Sequence, residues 1–451
     1  MIHLSPLWGL LWQYYYSLDI FRNFFSKCFY TPFAPLVLPI WSIILFFCEL
    51  NASKNQPKIF KKMKSYKRSH IYWGILLLCF IAQSVYLTFI GCSHTAPYYH
   101  PDIATLETHN VEITNVLIYR ILLIGDAGQP KPDEPVLETL KKWAQKAPEK
   151  TSIIFLGDNM YPDGMTVELQ HEAPTHLGPQ LEVITSTDTH GLFIPGNHDW
   201  GGAGDEGIHA LRAQEQYVND TLPQEPSFLP TSGSPGPVTL ELPESTPTVR
   251  LVVLDTQWWL HKYEKPKKPH DEIIAELKIA LDTELPVLVL GHHPIESYGP
   301  HGGFYDWKAH LFPVTEAEEW LWIPVPIVGS LYPITRWHLV KSEQDLSNDI
   351  YKDMAVQFNN AFANANKTPL LIYASGHDHS LQVLQGDTAD YLLISGLGSS
   401  EKATAVSHGD NTLFAHQHSG FMVLDFFEDD NVLLRVVEPV AEEVLFHQWL
   451  K

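Results

Sequence analysis

Asp126, Asp158, Tyr161, Asn197, His292, His377 and His379 carry the chemistry legible in this 451-residue chain. They sit in five short blocks in one order: Gly125-Asp126-Ala127-Gly128, Gly157-Asp158-Asn159-Met160-Tyr161, Gly196-Asn197-His198-Asp199, Val289-Leu290-Gly291-His292 and Gly376-His377-Asp378-His379. Their donors are carboxylate and phenolate oxygen, amide oxygen and imidazole nitrogen. That hard-to-borderline set suits iron, manganese or zinc and does not suit copper(I). A carboxylate such as Asp158 can bridge two ions, and an ion pair about 3.5–4 Å apart supports in-line displacement at phosphorus. Single Gly-Asp or Gly-His pairs are common, but five such blocks in order point to a two-metal hydrolase.

Elements must bring these blocks together. Apolar runs at 121–124, 153–156, 192–194, 287–290 and 370–373 read as buried strands. Ligands at strand ends converge on the rim of one sheet, and the adjoining glycines allow the sharp turns that direct side chains across it. Stretches 136–145 and 271–281 read as helices, while 390–395, 421–427 and 432–437 form a strand-rich end. The expected fold is α/β, two packed mixed sheets with helices outside. Residues 249–254 read as a further strand ending at Asp255, which is taken as structural. Trp258 and Trp259 either line the cleft mouth or pack. With 45% hydrophobic residues the chain can bury a large core, and its length fits one large domain with appendages.

The blocks resemble those of the calcineurin-like metallophosphoesterases, and in detail the purple acid phosphatase branch. Most members carry Asp-x-His in the first block, with the histidine on the first metal; here that position is Gly128. The purple branch replaces the lost ligand by a tyrosine three residues after the bridging aspartate, and Tyr161 stands at that spacing after Asp158. The resemblance covers about residues 117–438 and implies a calcineurin-like four-layer αββα sandwich. It also implies that Asp126, Tyr161 and His379 hold the first metal, ferric in the purple branch. Asn197, His292 and His377 would hold a second, divalent ion of zinc, manganese or iron, with Asp158 bridging; two zinc or two manganese ions are the alternative cofactors. His198 would face the phosphoryl group, as would His301, nine residues after His292 in Gly-Pro-His-Gly. Asp378, Asp199 and His293 are expected to orient their neighbours. His408, His416 and His418 are read as structural.

The implied activity is that of a phosphomonoesterase whose nucleophile is a metal-bound hydroxide. His198 or His301, when protonated, would donate to the leaving oxygen or clamp the phosphate. A phosphodiesterase or nucleotide pyrophosphatase on the same site is the enzymatic alternative. A catalytically silent, metal-bearing binding protein anchored to a membrane is the alternative of another class; the complete ligand set with His198 argues against it.

Residues outside the blocks set the context. Residues 71–91 form a 21-residue uncharged stretch after Lys64, Lys67 and Arg68, long enough to span a bilayer. The stretch ends in Leu87-Thr88-Phe89-Ile90-Gly91-Cys92, similar to a bacterial lipoprotein signal. Residues 63–92 are therefore read as a lipoprotein-like signal or membrane anchor starting at Met63, and 1–62 as a doubtful extension. A true transmembrane protein, with 34–48 and 71–91 both inserted, is the runner-up. A linker is expected at 93–115, the phosphoesterase domain at 116–440 with an insertion at 302–368, and a tail at 441–451. The insertion is read as a packed segment bordering the site; a lid, a membrane-grazing loop and a buried hairpin are its other readings. All four cysteines precede residue 93, so the catalytic part needs no disulfide. Residues 1–70 carry nine Lys or Arg against two Asp or Glu, leaving −29 of the −22 total to the rest. That asymmetry fits an exported, periplasm-facing body. So acidic a body is a poor nucleic-acid binder, and no nucleic acid is expected as a partner; the resemblance implies a phosphorylated small molecule as substrate.

Overall fold

Strands buried on both faces need apolar residues at every position, and successive side chains must enter opposite layers. The computed structural model obeys this in 117–124, where Ile121 and Leu123 enter the core between two sheets and Leu122 and Ile124 face the helices outside. It describes residues 96–103, 115–222, 227–316, 321–325, 329–399, 403–439 and 444–450. The chain divides into two units, Met1–Ala82 and Gln83–Lys451, and every described residue belongs to the second. The extension, the signal-like segment and all four cysteines lie outside the described residues.

One sheet has eight strands in the order β1 (Tyr98–Tyr99), β11 (Thr412–His416), β9 (Leu381–Gln385), β10 (Tyr391–Ser395), β8 (Leu371–Ser375), β7 (Val287–Leu290), β6 (Val249–Val253) and β5 (Val238–Leu242). The other has six, in the order β14 (Val444–Trp449), β13 (Val432–Val437), β12 (Phe421–Phe427), β2 (Leu117–Ile124), β3 (Thr151–Phe155) and β4 (His190–Phe193). Both sheets are mixed. β2, β3 and β4 run parallel, as do β6, β7, β8 and β10, and the remaining pairs are antiparallel. Parallel neighbours end on the same side, so the turns after β2, β3 and β4 meet those after β7 and β8.

Helices cover the outer faces. They are α1 (Pro135–Gln145), α2 (Ala173–Thr187), α3 (Gly207–Thr221), α4 (Thr256–Leu260), α5 (His270–Ala280), α6 (Trp307–Leu311), α7 (Leu331–Thr335) and α8 (Asp349–Phe362). The expected four-layer αββα sandwich is therefore present. α1 starts with Pro135 at its first turn, where the missing N–H costs nothing, and buries Val136, Leu140 and Trp143. α1 packs on α2, while α8 packs on α4 and α5.

Three sequence expectations change. The C-terminal part of the expected insertion 302–368 contains a covering helix: α8 buries Tyr351, Met354, Phe358 and Phe362, a helical spacing, and Asn348 caps its first turn by accepting from the Ile350 and Tyr351 amides. Parallel β7 and β8 require such a crossover helix. The added segment is thus 302–348, and its described part contains helical turns and irregular chain, with no hairpin among the described residues. The expected linker 93–115 contributes β1, and the expected tail 441–451 contributes β14. Both are edge strands, too short or too half-buried to show an apolar run.

Candidate metal centre

Three of the five turns place a donor residue in a backbone conformation that side chains usually avoid. Asp126, Asp158 and His377 have φ values of 55°, 53° and 71°. Such left-handed residues cost on the order of 1–3 kcal/mol each and persist where surroundings hold them. Here the candidate donors are held by amides of the neighbouring turns. The His377 amide donates to Asp126 Oδ2 at 2.8 Å, and the His198 amide donates to Asp158 Oδ1 at 2.8 Å. Gly128 explains how the second turn comes so close to the first. A Cβ there would lie 2.5 Å from Asn159 C and Met160 N and 2.6 Å from the Asp158 carbonyl oxygen. The Gly128 amide donates to the Asp158 carbonyl at 3.1 Å, and the Tyr161 amide donates to Gly128 O at 3.2 Å. Loss of a side chain at 128 and arrival of the Tyr161 ring are one structural event.

Two donor groups result. In the first, Tyr161 Oη donates to Asp126 Oδ1 at 3.1 Å and lies 3.1 Å from His379 Nε2, which is 3.3 Å from Asp126 Oδ1. In the second, His292 Nε2 lies 3.3 Å from Asp158 Oδ2 and 3.2 Å from Asn197 Oδ1. Tyr161 Oη is also 3.3 Å from Asp158 Oδ2, so Asp158 stands between the groups. Donors bonded to one ion at 2.0–2.2 Å are themselves roughly 3 Å apart, so both groups have the spacing of coordination shells. His377 stands beside the second group. Its Nε2–H donates to the Gln344 carbonyl at 2.9 Å, which leaves Nδ1 as the nitrogen with a lone pair to offer, and a ring nitrogen of His377 lies within 4.8 Å of one of His292. His198 and His301, both half-buried, flank these groups. His198 Nε2 is 3.9 Å from Asp158 Oδ2, and the His301 ring lies against that of His377, 4.0 Å between centroids.

Charge in this cluster is unbalanced in a direction that favours cations. Burial alone would raise Asp158, but the charges of His292 and then His198 hold it well below the carboxylate range. Burial likewise opposes a charge on His292, yet Asp158 overrides it and raises the imidazole to about 9. Carboxylates that raise a buried imidazole in this way would also attract a cation at the same place. Burial, then Asp126 and Asp158, push the Tyr161 hydroxyl well above its ordinary value. An ion beside that oxygen reverses the effect, since a cation is then the largest local charge. The donor set and its electrostatics both fit metal ions.

The neighbouring polar residues are tied into the turns by hydrogen bonds. Asp199 is buried and accepts from the Gly196 amide at 2.7 Å, the Asn159 amide at 2.9 Å and Gln214 at 2.8 Å, fixing the turns that carry Asn197 and Asp158. Asp378 accepts from Ser297 and from the His301 amide. His293 uses both ring nitrogens, with Gln344 Oε1 at 2.7 Å and Thr256 Oγ1 at 2.8 Å, which takes it out of the donor set. Asp255 caps α4 and accepts from Trp200, and burial first of all raises its carboxyl to about 7; Trp258 and Trp259 are packed. His416 and His418 pair with Glu438, and His408 stacks on Tyr98.

Sequence reasoning missed Gln344, Asp345 and Arg336. They lie in the added segment, and only folding brings them to His293, His377 and His301. A polar run between two helical stretches was their sole signal. A cavity of about 830 Å³ opens at the other ends of the strands, between Leu117, Lys150, Pro286 and Pro369, and contains none of the donors. Chemistry, and not the size of that cavity, locates the site.

The sequence pattern of one family, the calcineurin-like phosphoesterases, matches residues 119–381, more than half of the chain. A comparison with curated proteins finds no match. Among solved structures, GAP50, the anchor in the inner membrane complex of Plasmodium, aligns with a TM-score of 0.46 at 15% identity, over 74% of this chain and 89% of its own. Purple acid phosphatase PPD1 from yellow lupin seeds gives 0.43 at 15% identity, over 73% of this chain and 53% of its own. A dimetal phosphatase from Danio rerio gives 0.42 at 10% identity, over 74% of this chain and 99% of its own.

Proposed function

Because the chain belongs to the calcineurin-like phosphoesterase family, whose members are hydrolases with dinuclear metal sites, we propose that it hydrolyses phosphomonoesters of small molecules. Asp126, Tyr161 and His379 would hold one ion, Asn197, His292 and His377 the other, and Asp158 both. Iron with a divalent partner is the favoured pair. When bound, the ions supply an acidified water and draw negative charge from the phosphoryl oxygens. The protein's own part is positional. Buried carboxylates fix the ion sites, while the His198 and His301 imidazoles, half-exposed at the rim, can donate to phosphoryl or leaving-group oxygen. One observation carries the purple-type reading: the close contact of Gly128 with 158–160, which puts the Tyr161 hydroxyl among the donors of Asp126, Asp158 and His379.

The test is a visible spectrum and metal analysis of the purified full chain, with hydrolysis of para-nitrophenyl phosphate and bis(para-nitrophenyl) phosphate across pH. A phenolate-to-iron absorption band that disappears in Tyr161→Phe, with activity on the monoester, is the expected result. A colourless protein holding two zinc or manganese ions and cleaving only the diester would overturn both the purple-type and the monoesterase readings. Residues 63–92 extend the proposal to location: a membrane anchor with the catalytic body exported.

A further inference from the structure

We propose that Asp345, carried by the added segment 302–348 and clamped by Arg336, is the positioning residue that aims His301 at the phosphoryl group. The inference rests on the hydrolase reading above. Asp345 is fully buried, although it stands in the irregular end of the segment, just before α8. Its Oδ1 accepts from His301 Nδ1–H at 2.9 Å and from Arg336 Nη2 at 2.7 Å, and its Oδ2 accepts from Arg336 Nε at 2.8 Å. Arg336 thus grips both carboxylate oxygens, the bidentate arrangement that fixes a carboxylate in angle as well as in place. The backbone adds a further link: the Leu346 amide donates to the His301 carbonyl at 2.9 Å.

These contacts leave His301 little freedom. Nδ1 is committed to Asp345, one ring face rests on His377, and the amide is tied to Asp378 at 3.1 Å. Nε2 is then the nitrogen that can meet substrate, and the bond at Nδ1 sets which tautomer it presents. The neighbouring Gln344 does the same for two more rings, taking the His377 Nε2–H on its carbonyl and the His293 Nε2–H on its side chain. Three site imidazoles are therefore aligned by two consecutive residues of a segment that the five metal-ligand blocks do not include. Without a ligating atom of its own, the added segment acts by orienting histidines.

A double-mutant cycle between Asp345→Asn and His301→Asn, read on para-nitrophenyl phosphate hydrolysis by the full chain, tests this. If Asp345 acts through His301, Asp345→Asn should lower kcat/KM about 10–100-fold in the native background and less than twofold in the His301→Asn background. Equal losses in both backgrounds would overturn the proposal and leave a structural role. The second readout needs no activity. In ¹⁵N-labelled full chain, with the His301 signals identified by their loss in His301→Asn, the native imidazole should show a proton on Nδ1, and Asp345→Asn should mix the tautomers. An unchanged tautomer refutes the positioning role even in an active enzyme. Absent hydrolysis with a tautomer that does respond would sink the phosphatase reading and keep the geometry. Arg336→Lys, which keeps the charge and loses the bidentate grip, should give an intermediate effect in both readouts.

Discussion

Tyr161 and Gly128 are legible in the sequence as a replacement and its compensation, but their contact gives the replacement a physical cause. Once the backbone of 158–160 lies against Gly128, no side chain fits at that position. Tyr161→Phe should therefore lose the first metal, and Gly128→His, which restores the histidine common in the family, should fail to rescue it. Gly128→His should instead cost roughly 1–3 kcal/mol of stability through overpacking. Metal content and the thermal midpoint of the single and double variants check this, and recovery of metal in the double variant would refute the contact argument. The candidate donor blocks were readable because each turn follows a local apolar run. Which nitrogen the His292 and His377 imidazoles offer was not, since hydrogen bonds to the Leu156 and Gln344 carbonyls, far away in sequence, decide it.

At the scale of elements, the strand that delivers Asp126 is held from behind. Arg120 on β2 donates to Asp425 on β12 at 2.6 and 3.0 Å, and Arg435 on β13 donates to the same carboxylate. All three are buried, and both guanidinium groups lie over the Trp143 ring of α1, at 5.2 and 5.7 Å from its centre. Removing one partner from a buried ionic group strands the others without solvent. Asp425→Ala should thus cost about 3–5 kcal/mol, seen as a lower urea midpoint, whereas a change below about 1 kcal/mol would show that water reaches the two arginines. Long apolar strands and the amphipathic α1 and α5 were visible from periodicity. β1, β5, β9, β11 and β14 were not separately read, because edge and antiparallel strands take their register from partners distant in the chain.

The whole molecule makes the site by pressing two sheets together. Asp126, Asp158 and Asn197 come from the six-stranded sheet, His292, His377 and His379 from the eight-stranded one, and the His292 Nδ1–H donates across to Leu156 O at 2.8 Å. At this scale the proposed anchor also belongs. No helix among the described residues is long and apolar enough to cross a membrane, and the proposed anchor lies outside those residues. The full chain should sediment with membranes and resist carbonate extraction, and if Cys92 is lipidated, Cys92→Ala should leave a larger, uncleaved product. Recovery of the full chain in the soluble fraction would end the anchor proposal. The sequence alone determined the donor types, their order and the strands that end at them, because turn chemistry and apolar runs are local. Folding set the rest: the tight Gly128 contact, the role of α8 as a crossover helix, and the reach of Gln344 and Asp345 into the site. Those depend on which segments touch, and contact between distant segments leaves no periodic mark in a chain.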